Sequence, residues 1–260
     1  MKRKILMLLD NPLESDFRVE KEAESLGEYG NRVVVMATKK EELPRKEKRE
    51  LYTIERCLDD TFKKPYQKGY REYLINTAKR IASLDFDDLH CHDYHMIILG
   101  AEVKKNKPSI RLIYDSHEFL AGWPFYKASR GIVNRLKGYL VWKRNISDEK
   151  RAVLYADEVI TVSEKMSQLL RAHFKLGQKP IVLRNVPNKF PLSREKYFHN
   201  HFDLPVGTKI ILNSGNIYQT DKQLKSLFNI VDSIEGIRLV IIGNRPRFYE
   251  VKSQVEGSRY

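Results

Sequence analysis

The chain has 260 residues, with 47 Lys and Arg against 34 Asp and Glu, and a formal net charge of +13. Its 42% hydrophobic content, 13 Gly and 10 Pro exclude a disordered or collagen-like protein and allow one large domain or two of ordinary size. Two cysteines, Cys57 and Cys91, exclude a disulfide scaffold and a cysteine-rich zinc module, and they favour a reducing compartment.

The N-terminus, MKRKILMLLDNP, combines a basic start with a short apolar run. A signal peptide is one interpretation, but Asp10 follows the apolar run at once and no small-residue cleavage site is present. No apolar run approaches the roughly 18–20 residues that span a bilayer. We therefore predict a buried first strand in a soluble protein of the cytoplasm.

Short apolar runs alternate with amphipathic stretches, which predicts βαβ units and a parallel sheet covered on both faces. The predicted strands are 5–9, 33–37, 89–91, 112–114, 159–162, 181–183, 210–213 and 239–242. The predicted helices are 16–29, 65–83, 95–105, 129–155, 163–174, 221–234 and 247–256. Because residues 39–64 are highly charged, we expect a surface excursion there, with at most a short helix.

Two prolines, Pro187 and Pro191, follow the strand predicted at 181–183 and indicate a linker between domains. A strand–helix–strand pattern then starts again at Lys209. We predict a complete N-terminal α/β domain over 1–187 and a second α/β unit over 188–260. The second unit has room for only two strands and two helices.

Four segments have the order and spacing of a known family. They are IYDSHE at 113–118, YADEVITVSEK at 155–165, PIVLRNVPN at 180–188, and ILNSGNI at 211–217 followed by LVIIG at 239–243. Each segment alone is a weak signal. Together they resemble the retaining glycosyltransferases of family 4, over nearly the whole chain.

The resemblance implies the GT-B fold, in which an N-terminal Rossmann-like domain with a doubly wound parallel sheet faces a second Rossmann-like domain. It implies transfer of a sugar, with retention, from a UDP- or GDP-linked donor to a glycan, polysaccharide or lipid-linked acceptor. The acceptor would lie mainly on residues 1–187 and the nucleotide-sugar mainly on residues 188–260. No cofactor is implied, and no metal is expected to be required.

His117 follows the strand predicted at 112–114, where ligands of parallel sheets bind. An imidazole there can donate a hydrogen bond to a sugar hydroxyl or a leaving oxygen. The resemblance implies a catalytic role for His117, with Glu118 beside it. A histidine that only caps the loop backbone is the alternative.

The resemblance places donor-binding residues at the start of the second unit. They are Gly215, Asn216 and Lys222. Asn216 stands where the family usually has arginine, so one of two expected cations is missing. Lys222 opens a predicted helix, whose free N–H groups would add to its charge at a diphosphate. A plain surface lysine is the alternative.

Three residues of the N-terminal domain are candidates for the acceptor site or the cleft, namely Arg18, His92 and Asp93. Arg18 faces an acceptor or phosphate in one interpretation and is an exposed helix residue in the other. His92 and Asp93, together with His90 and His95, resemble a metal cluster. Because their spacing matches no established site, we predict no metal there.

Positive charge concentrates between Lys127 and Arg151, with eight basic residues against two acids. Apolar residues recur there at helical spacing, which suits an anionic membrane surface. We predict that Arg135, Lys137, Lys143 and Arg144 face that membrane. A helix packed in the core with a basic polar face is the alternative. No nucleic-acid motif accompanies the charge, so no nucleic acid is expected.

Family members continue beyond the strand at 239–242 with units that carry a donor-binding pair of glutamates eight positions apart. This chain stops at Tyr260, before that pair. We therefore expect a fragment, or one part of a split enzyme whose partner chain completes the second domain. The alternative function is a catalytically incomplete module that binds acceptor, membrane or partner. The expected location is the cytoplasm, peripheral to the inner face of the membrane.

Overall fold

A computed structural model describes residues 2–14, 16–63, 67–124, 126, 131–187, 189, 191, 196–215, 221–243 and 248–255. The chain divides into two compact units, Met1–Pro187 and Asn188–Tyr260. We call them the first and second unit.

The first unit contains one sheet. Its strands are β1 (Lys4–Leu8), β2 (Arg32–Thr38), β3 (Lys46–Lys48), β4 (Tyr52–Leu58), β5 (Asp88–His92), β6 (Arg111–Ser116), β7 (Glu158–Thr161) and β8 (Ile181–Val182). They lie in the order β3-β4-β2-β1-β5-β6-β7-β8. Every pairing is parallel except that of β3 with β4. The order reverses direction at β1, so β1 and β5 flank the position where such sheets bind ligands.

Helices cover the sheet of the first unit. They are α1 (Phe17–Glu28), α2 (Tyr70–Ala82), α3 (Asp93–Asn106), α4 (Ile132–Ala152) and α5 (Glu164–Phe174). Along β1, Ile5 and Met7 pack in a cluster with residues of α1, whereas Leu6 and Leu8 pack in a cluster with α2, α3 and α5. Burial on both faces explains the continuous apolar run of β1.

The start of α1 positions the side chains that later form the site. The Oδ1 atom of Asp16 accepts a hydrogen bond from the N–H of Val19 (3.4 Å), and Asn11 donates to the Oδ2 atom of Asp16 (2.9 Å). This cap fixes where the helix begins. Arg18 and Glu22, four residues apart, then lie on one side of α1.

The prediction of a surface excursion at 39–64 is wrong, because β3 and β4 lie there. In β4, alternate residues are buried, as in any half-buried strand. One inward position holds Arg56, whose guanidinium donates to the carbonyls of Pro12, Leu13 and Pro44. Because Arg56 is charged, the sequence of β4 does not show the alternation of apolar and polar residues that would predict a half-buried strand.

The second unit contains β9 (Lys209–Ser214) and β10 (Ile237–Ile242), which pair in parallel. Its helices are α6 (Tyr197–His201), α7 (Asp221–Asp232) and α8 (Phe248–Val255). The short α6 was not predicted, because five residues, YFHNH, carry no helical periodicity. Leu224 and Val251 form the buried core, with Phe228 and Ile241 packed against them.

Candidate functional site

Charged side chains converge at the carboxyl ends of three neighbouring strands. Asp10 follows the end of β1, Asp93 follows β5, and His117 follows β6. The Nδ1 atom of His95, in the first turn of α3, lies 2.8 Å from the Oδ2 atom of Asp10. We call this group the strand-end site.

His117 lies between two carboxylates. Its Nδ1 atom is 3.2 Å from the Oδ2 atom of Asp93, and its Nε2 atom is 3.2 Å from the Oδ2 atom of Asp115. Burial disfavours a charged imidazole, but the hydrogen bonds to Asp115 and Asp93 outweigh it and raise the pKa of His117 to about 10. His117 therefore carries a positive charge at neutral pH, with 17% of its side chain exposed.

Asp93 has a backbone φ of +63°, which is uncommon for a residue with a side chain. Its Oδ1 atom accepts a hydrogen bond from the backbone N–H of His117 (3.1 Å), which helps to hold this conformation. Glu118 is exposed beside it, and partial burial together with the charge of Asp93 raises its pKa. The site thus presents the carboxylates of Asp93 and Glu118 beside the imidazolium of His117.

Arg18 is buried behind His117, with 5% of its side chain exposed. Its guanidinium donates to both carboxylate oxygens of Asp115 (2.8–3.1 Å) and to the carbonyl of Leu183 (2.7 Å), and it forms an ion pair with Glu22 (3.1 Å). The prediction of an exposed helix residue is wrong. Its donors bind the chain itself, and Arg18 also lines a cavity of about 500 Å³, so the role toward an acceptor or phosphate stays a prediction.

His90 and His92 share one face of β5, as their spacing predicts, and their rings stack with centroids 4.3 Å apart. His92 is fully buried, so the prediction that it lines the cleft is wrong. Burial lowers the pKa of both imidazoles, to about 4 for His90, and both are neutral. Burial and the charge of Asp115 raise the pKa of Glu22 to about 8.

Little in the sequence indicates that Glu22 and Asp115 belong to this site. The one available signal is that Arg18 and Glu22 lie one turn apart on the buried face of α1. Charged residues are seldom buried without partners, so this pair indicates further charged groups nearby. Asp115 lies within the motif IYDSHE, where only the histidine and the glutamate were singled out.

Residues 18–186, more than half of the chain, match the family model of Glycosyltransferase Family 4. The chain belongs to glycosyltransferase family 4. No curated protein sequence matches this family 4 chain.

Solved structures share the fold of this family 4 chain. Sucrose-phosphate synthase from Thermosynechococcus elongatus superposes with a TM-score of 0.70 at 15% identity, over 99% of this chain and 69% of that one. The catalytic domain of starch synthase IV from Arabidopsis thaliana, bound to ADP and acarbose, superposes with a TM-score of 0.63 at 12% identity, over 100% of this chain and 73% of that one. The lipopolysaccharide outer core galactosyltransferase WaaB, in its apo form, superposes with a TM-score of 0.56 at 14% identity, over 97% of this chain and 64% of that one. The predicted GT-B fold is confirmed.

The predicted donor residues of the family 4 chain lie in the second unit. Gly215 follows β9 with a φ of +120°, a conformation that favours glycine, and its N–H donates to the carbonyl of Ile242 (2.9 Å). Lys222 is exposed in the first turn of α7. Asn216 lies outside the described residues. The donor-binding role of all three stays a prediction.

The first half of α4 exposes both apolar and basic side chains. Ile132 is 86% exposed and Leu136 is 59% exposed, and the set continues with Val133 and Leu140. Arg135 and Lys137 are exposed on the same half of the helix, and Lys143 and Arg144 are exposed just beyond its midpoint. We call these eight residues the α4 surface. The alternative of a core-packed helix is wrong for this half, because α4 is buried only further along, at Asn145, Glu149 and Ala152.

Aromatic rings join the α4 surface to the segment that follows the strand-end site. Tyr126, Tyr139 and Trp142 lie with ring centroids 5.3–6.1 Å apart. The indole N–H of Trp142 donates to the carbonyl of Leu120 (3.1 Å), three residues after His117. In the part of the chain that the structure describes, no helix has the length and apolar character to cross a membrane.

Proposed function

We propose that this chain transfers a sugar from a nucleoside diphosphate donor to a hydroxyl of a membrane-associated glycan or lipid-linked acceptor, with retention at the anomeric carbon. The convergence of Asp93, His117 and Glu118 at the ends of neighbouring parallel strands carries the proposal. Ligands of open parallel sheets bind at that edge. Family membership and the fold support the reaction class.

The reaction breaks the bond between the anomeric carbon and the diphosphate oxygen and forms a bond from that carbon to the acceptor oxygen. The acceptor proton leaves with the diphosphate. Positive charge develops on the sugar ring and negative charge on the diphosphate. In this proposal Asp93 and Glu118 accept hydrogen bonds from sugar hydroxyls, and the His117 imidazolium balances negative charge close to the reacting atoms.

Donor binding is assigned to the second unit, at Gly215, Asn216 and Lys222. Lys222 would attract the diphosphate, and the positive end of the helix dipole at the start of α7 would add to that attraction. Starch synthase IV, which shares the fold, was solved with ADP. A nucleotide-sugar with a UDP or GDP leaving group is the donor class that we propose here.

The acceptor side of the proposal rests on the α4 surface. Four cations flank exposed aliphatic side chains on one helix, which complements a bilayer with anionic headgroups. A docked chain would bring the segment after His117 to the membrane, through Trp142 and Leu120. In this proposal, a lipid-linked acceptor would approach the strand-end site from that membrane.

Replacing His117 by alanine is expected to slow the release of UDP or GDP from a nucleotide-sugar by about 100-fold, because the positive charge that balances negative charge close to the reacting atoms is lost. The measurement is coupled detection of the free nucleotide, with UDP- and GDP-sugars tested separately. His201→Ala removes an exposed imidazole of the second unit and should leave the rate unchanged. Equal rates for His117→Ala and the wild type would contradict the catalytic role.

A donor-binding measurement distinguishes the proposed sugar transferase from the alternative, a module that binds its partners without catalysis. A donor that raises the Tm of the wild type, together with nucleotide release, supports transfer. If neither UDP- nor GDP-sugars change the Tm and no nucleotide is released, the chain instead fits the catalytically incomplete module.

Neutralising the four cations of the α4 surface should weaken binding to anionic vesicles by up to about 1000-fold, since each Lys or Arg near such a surface contributes about 1 kcal/mol. The measurement is co-sedimentation of the chain with Arg135, Lys137, Lys143 and Arg144 all changed to glutamine. A matched control changes four exposed cations elsewhere to glutamine, namely Arg45, Lys68, Arg71 and Lys79. If the two variants sediment equally, the membrane proposal fails.

A further inference from the structure

Four side chains that can bind a metal ion meet between α1 and the strands β5 and β6. Glu22, His90, His92 and Asp115 each offer a ligand atom, and these atoms all lie within 4.8 Å of one another. We propose that they form a binding site for a divalent transition-metal ion of the zinc type. This site goes beyond the proposed sugar transfer and does not depend on it.

Unpartnered polar atoms point to a ligand at this cluster. The Oε2 atom of Glu22 and the Nε2 atom of His90 are buried and have no hydrogen-bond partner among the described residues. His90 is 5% exposed and His92 is fully buried. Buried polar atoms in folded proteins are nearly always hydrogen-bonded or bound to an ion, so this concentration requires an explanation.

The cations already present do not supply that explanation. Arg18 binds Asp115 and forms an ion pair with Glu22, and His117 lies against Asp115. Among the described residues, neither Arg18 nor His117 donates to the Nε2 atom of His90, which has no hydrogen-bond partner. When this nitrogen carries no hydrogen, a metal ion can bind its lone pair. That atom lies 3.8 Å from Glu22 and 3.9 Å from Asp115. A cation bound among the three would satisfy them together.

The ligand set favours zinc over calcium or magnesium. Two imidazoles and two carboxylates are nitrogen and oxygen ligands typical of Zn²⁺, whereas Ca²⁺ and Mg²⁺ take oxygen ligands almost alone. Zinc ligands lie about 2.0–2.2 Å from the ion, which puts tetrahedral ligand atoms about 3.3–3.6 Å apart. His92 Nδ1 and Asp115 Oδ2 are 3.6 Å apart, and the two His90 distances exceed that range by only a few tenths of an ångström.

The surroundings of the cluster suit a metal site in two further ways. Arg18 donates to Asp115 Oδ1 (2.9 Å), the kind of outer hydrogen bond that orients a ligating carboxylate. Glu22 and His90 also line a cavity of about 500 Å³, together with Ile113 and Leu183. This cavity gives an ion a path to the cluster.

Equilibrium dialysis of the full chain tests the site directly. The chain is first stripped with a chelator, dialysed against Zn²⁺, and its metal content is measured by mass spectrometry. We expect one equivalent of zinc in the wild type and in His201→Ala, which removes an exposed histidine. Glu22→Gln and His90→Asn should each weaken zinc binding by about 100-fold or more. Mutating a residue that only hydrogen-bonds to a ligand can already cost about 100-fold, and these two residues are proposed as ligands themselves.

Co²⁺ substitution adds a readout of the ligands themselves. Bound Co²⁺ should give the intense visible absorption of a tetrahedral nitrogen and oxygen site, and this band should be absent in Glu22→Gln. Circular dichroism shows that each variant is folded, and Glu22→Gln keeps the shape of the side chain in case His90→Asn does not fold. The proposal is overturned if the folded wild type takes up no zinc, or if Glu22→Gln takes up as much as the wild type.

Discussion

Replacing Arg18 by methionine is expected to lower the free energy of unfolding of the first unit by about 3–5 kcal/mol, the usual cost of removing one partner from a buried ion pair. Asp115 is fully buried, and Arg18 makes three hydrogen bonds to its carboxylate. Without the guanidinium, the buried Asp115 carboxylate loses these three hydrogen bonds and its nearest positive charge in a poorly hydrated environment. Methionine keeps most of the side-chain volume, so the loss measures charge and hydrogen bonding.

Urea unfolding monitored by tryptophan fluorescence measures this effect in the first unit alone. Both tryptophans of the chain, Trp123 and Trp142, lie there. A chelator in the buffer keeps metal binding out of the comparison. Arg71→Met, which removes an exposed arginine from α2, should change the stability by less than about 0.5 kcal/mol. If Arg18→Met were equally mild, the buried pair would not stabilise the fold as argued.

Glu149 should make the stability of the first unit fall as pH rises from about 4.5 to about 7. It is 2% exposed, and burial raises its pKa from 4.5 to about 7, although the hydrogen bond that the Tyr114 hydroxyl donates to its Oε1 atom (2.6 Å) opposes the rise. Asp93 and Tyr94, both on α3, are the other titratable groups whose charges act on or respond to Glu149. The folded chain thus keeps a proton that the unfolded chain releases.

The sign and size follow from proton linkage. Between these pH values the native state binds more protons than the unfolded state, so raising the pH favours unfolding. The contribution of Glu149 is fully present below about pH 4.5 and lost above about pH 7. A shift of roughly 2.5 pKa units corresponds to about 3 kcal/mol.

Glu149→Gln isolates this contribution, because its amide oxygen still accepts from Tyr114 but carries no charge. We expect the variant to match the wild type near pH 4.5 and to be about 3 kcal/mol more stable above pH 8. The measurement is the difference in unfolding free energy between variant and wild type across this range, which cancels other titrating groups. Ser147→Ala, which changes a residue of the same helix that has no titratable side chain, should give a difference that does not vary with pH. A flat difference for Glu149→Gln would contradict the buried charge.

The sequence predicted the sheet wherever strands carry continuous apolar runs, because burial on both faces leaves that pattern. It failed where packing depends on one charged side chain. Arg56 occupies an inward position of β4 because three carbonyl groups receive its guanidinium, and no local pattern reveals those carbonyls. The exposed strand β3, Lys-Glu-Lys, has no apolar residue at all.

The strand-end site was predictable in its position more than in its contacts. His117 and Asp93 follow predicted strands, and parallel topology brings the ends of such strands together. The pairing of Arg18 with Asp115 joins residues 97 positions apart in the sequence. Likewise, the period of two places His90 and His92 on one face, but it does not say that Glu22 packs against them. Only the packing of α1 on the sheet brings these partners together.

The two outer strands of the first unit leave little for another sheet to extend. An uncovered strand offers rows of unpaired N–H and C=O groups to a second molecule, which is how many sheets aggregate. Here the outer strands, β3 and β8, have three and two residues. β3 carries only charged side chains, and two of the three are lysines, which repel an identical strand. The long apolar strands of the first unit are thereby kept inside its sheet, so that a strand added by a second molecule would meet one of the two short outer strands.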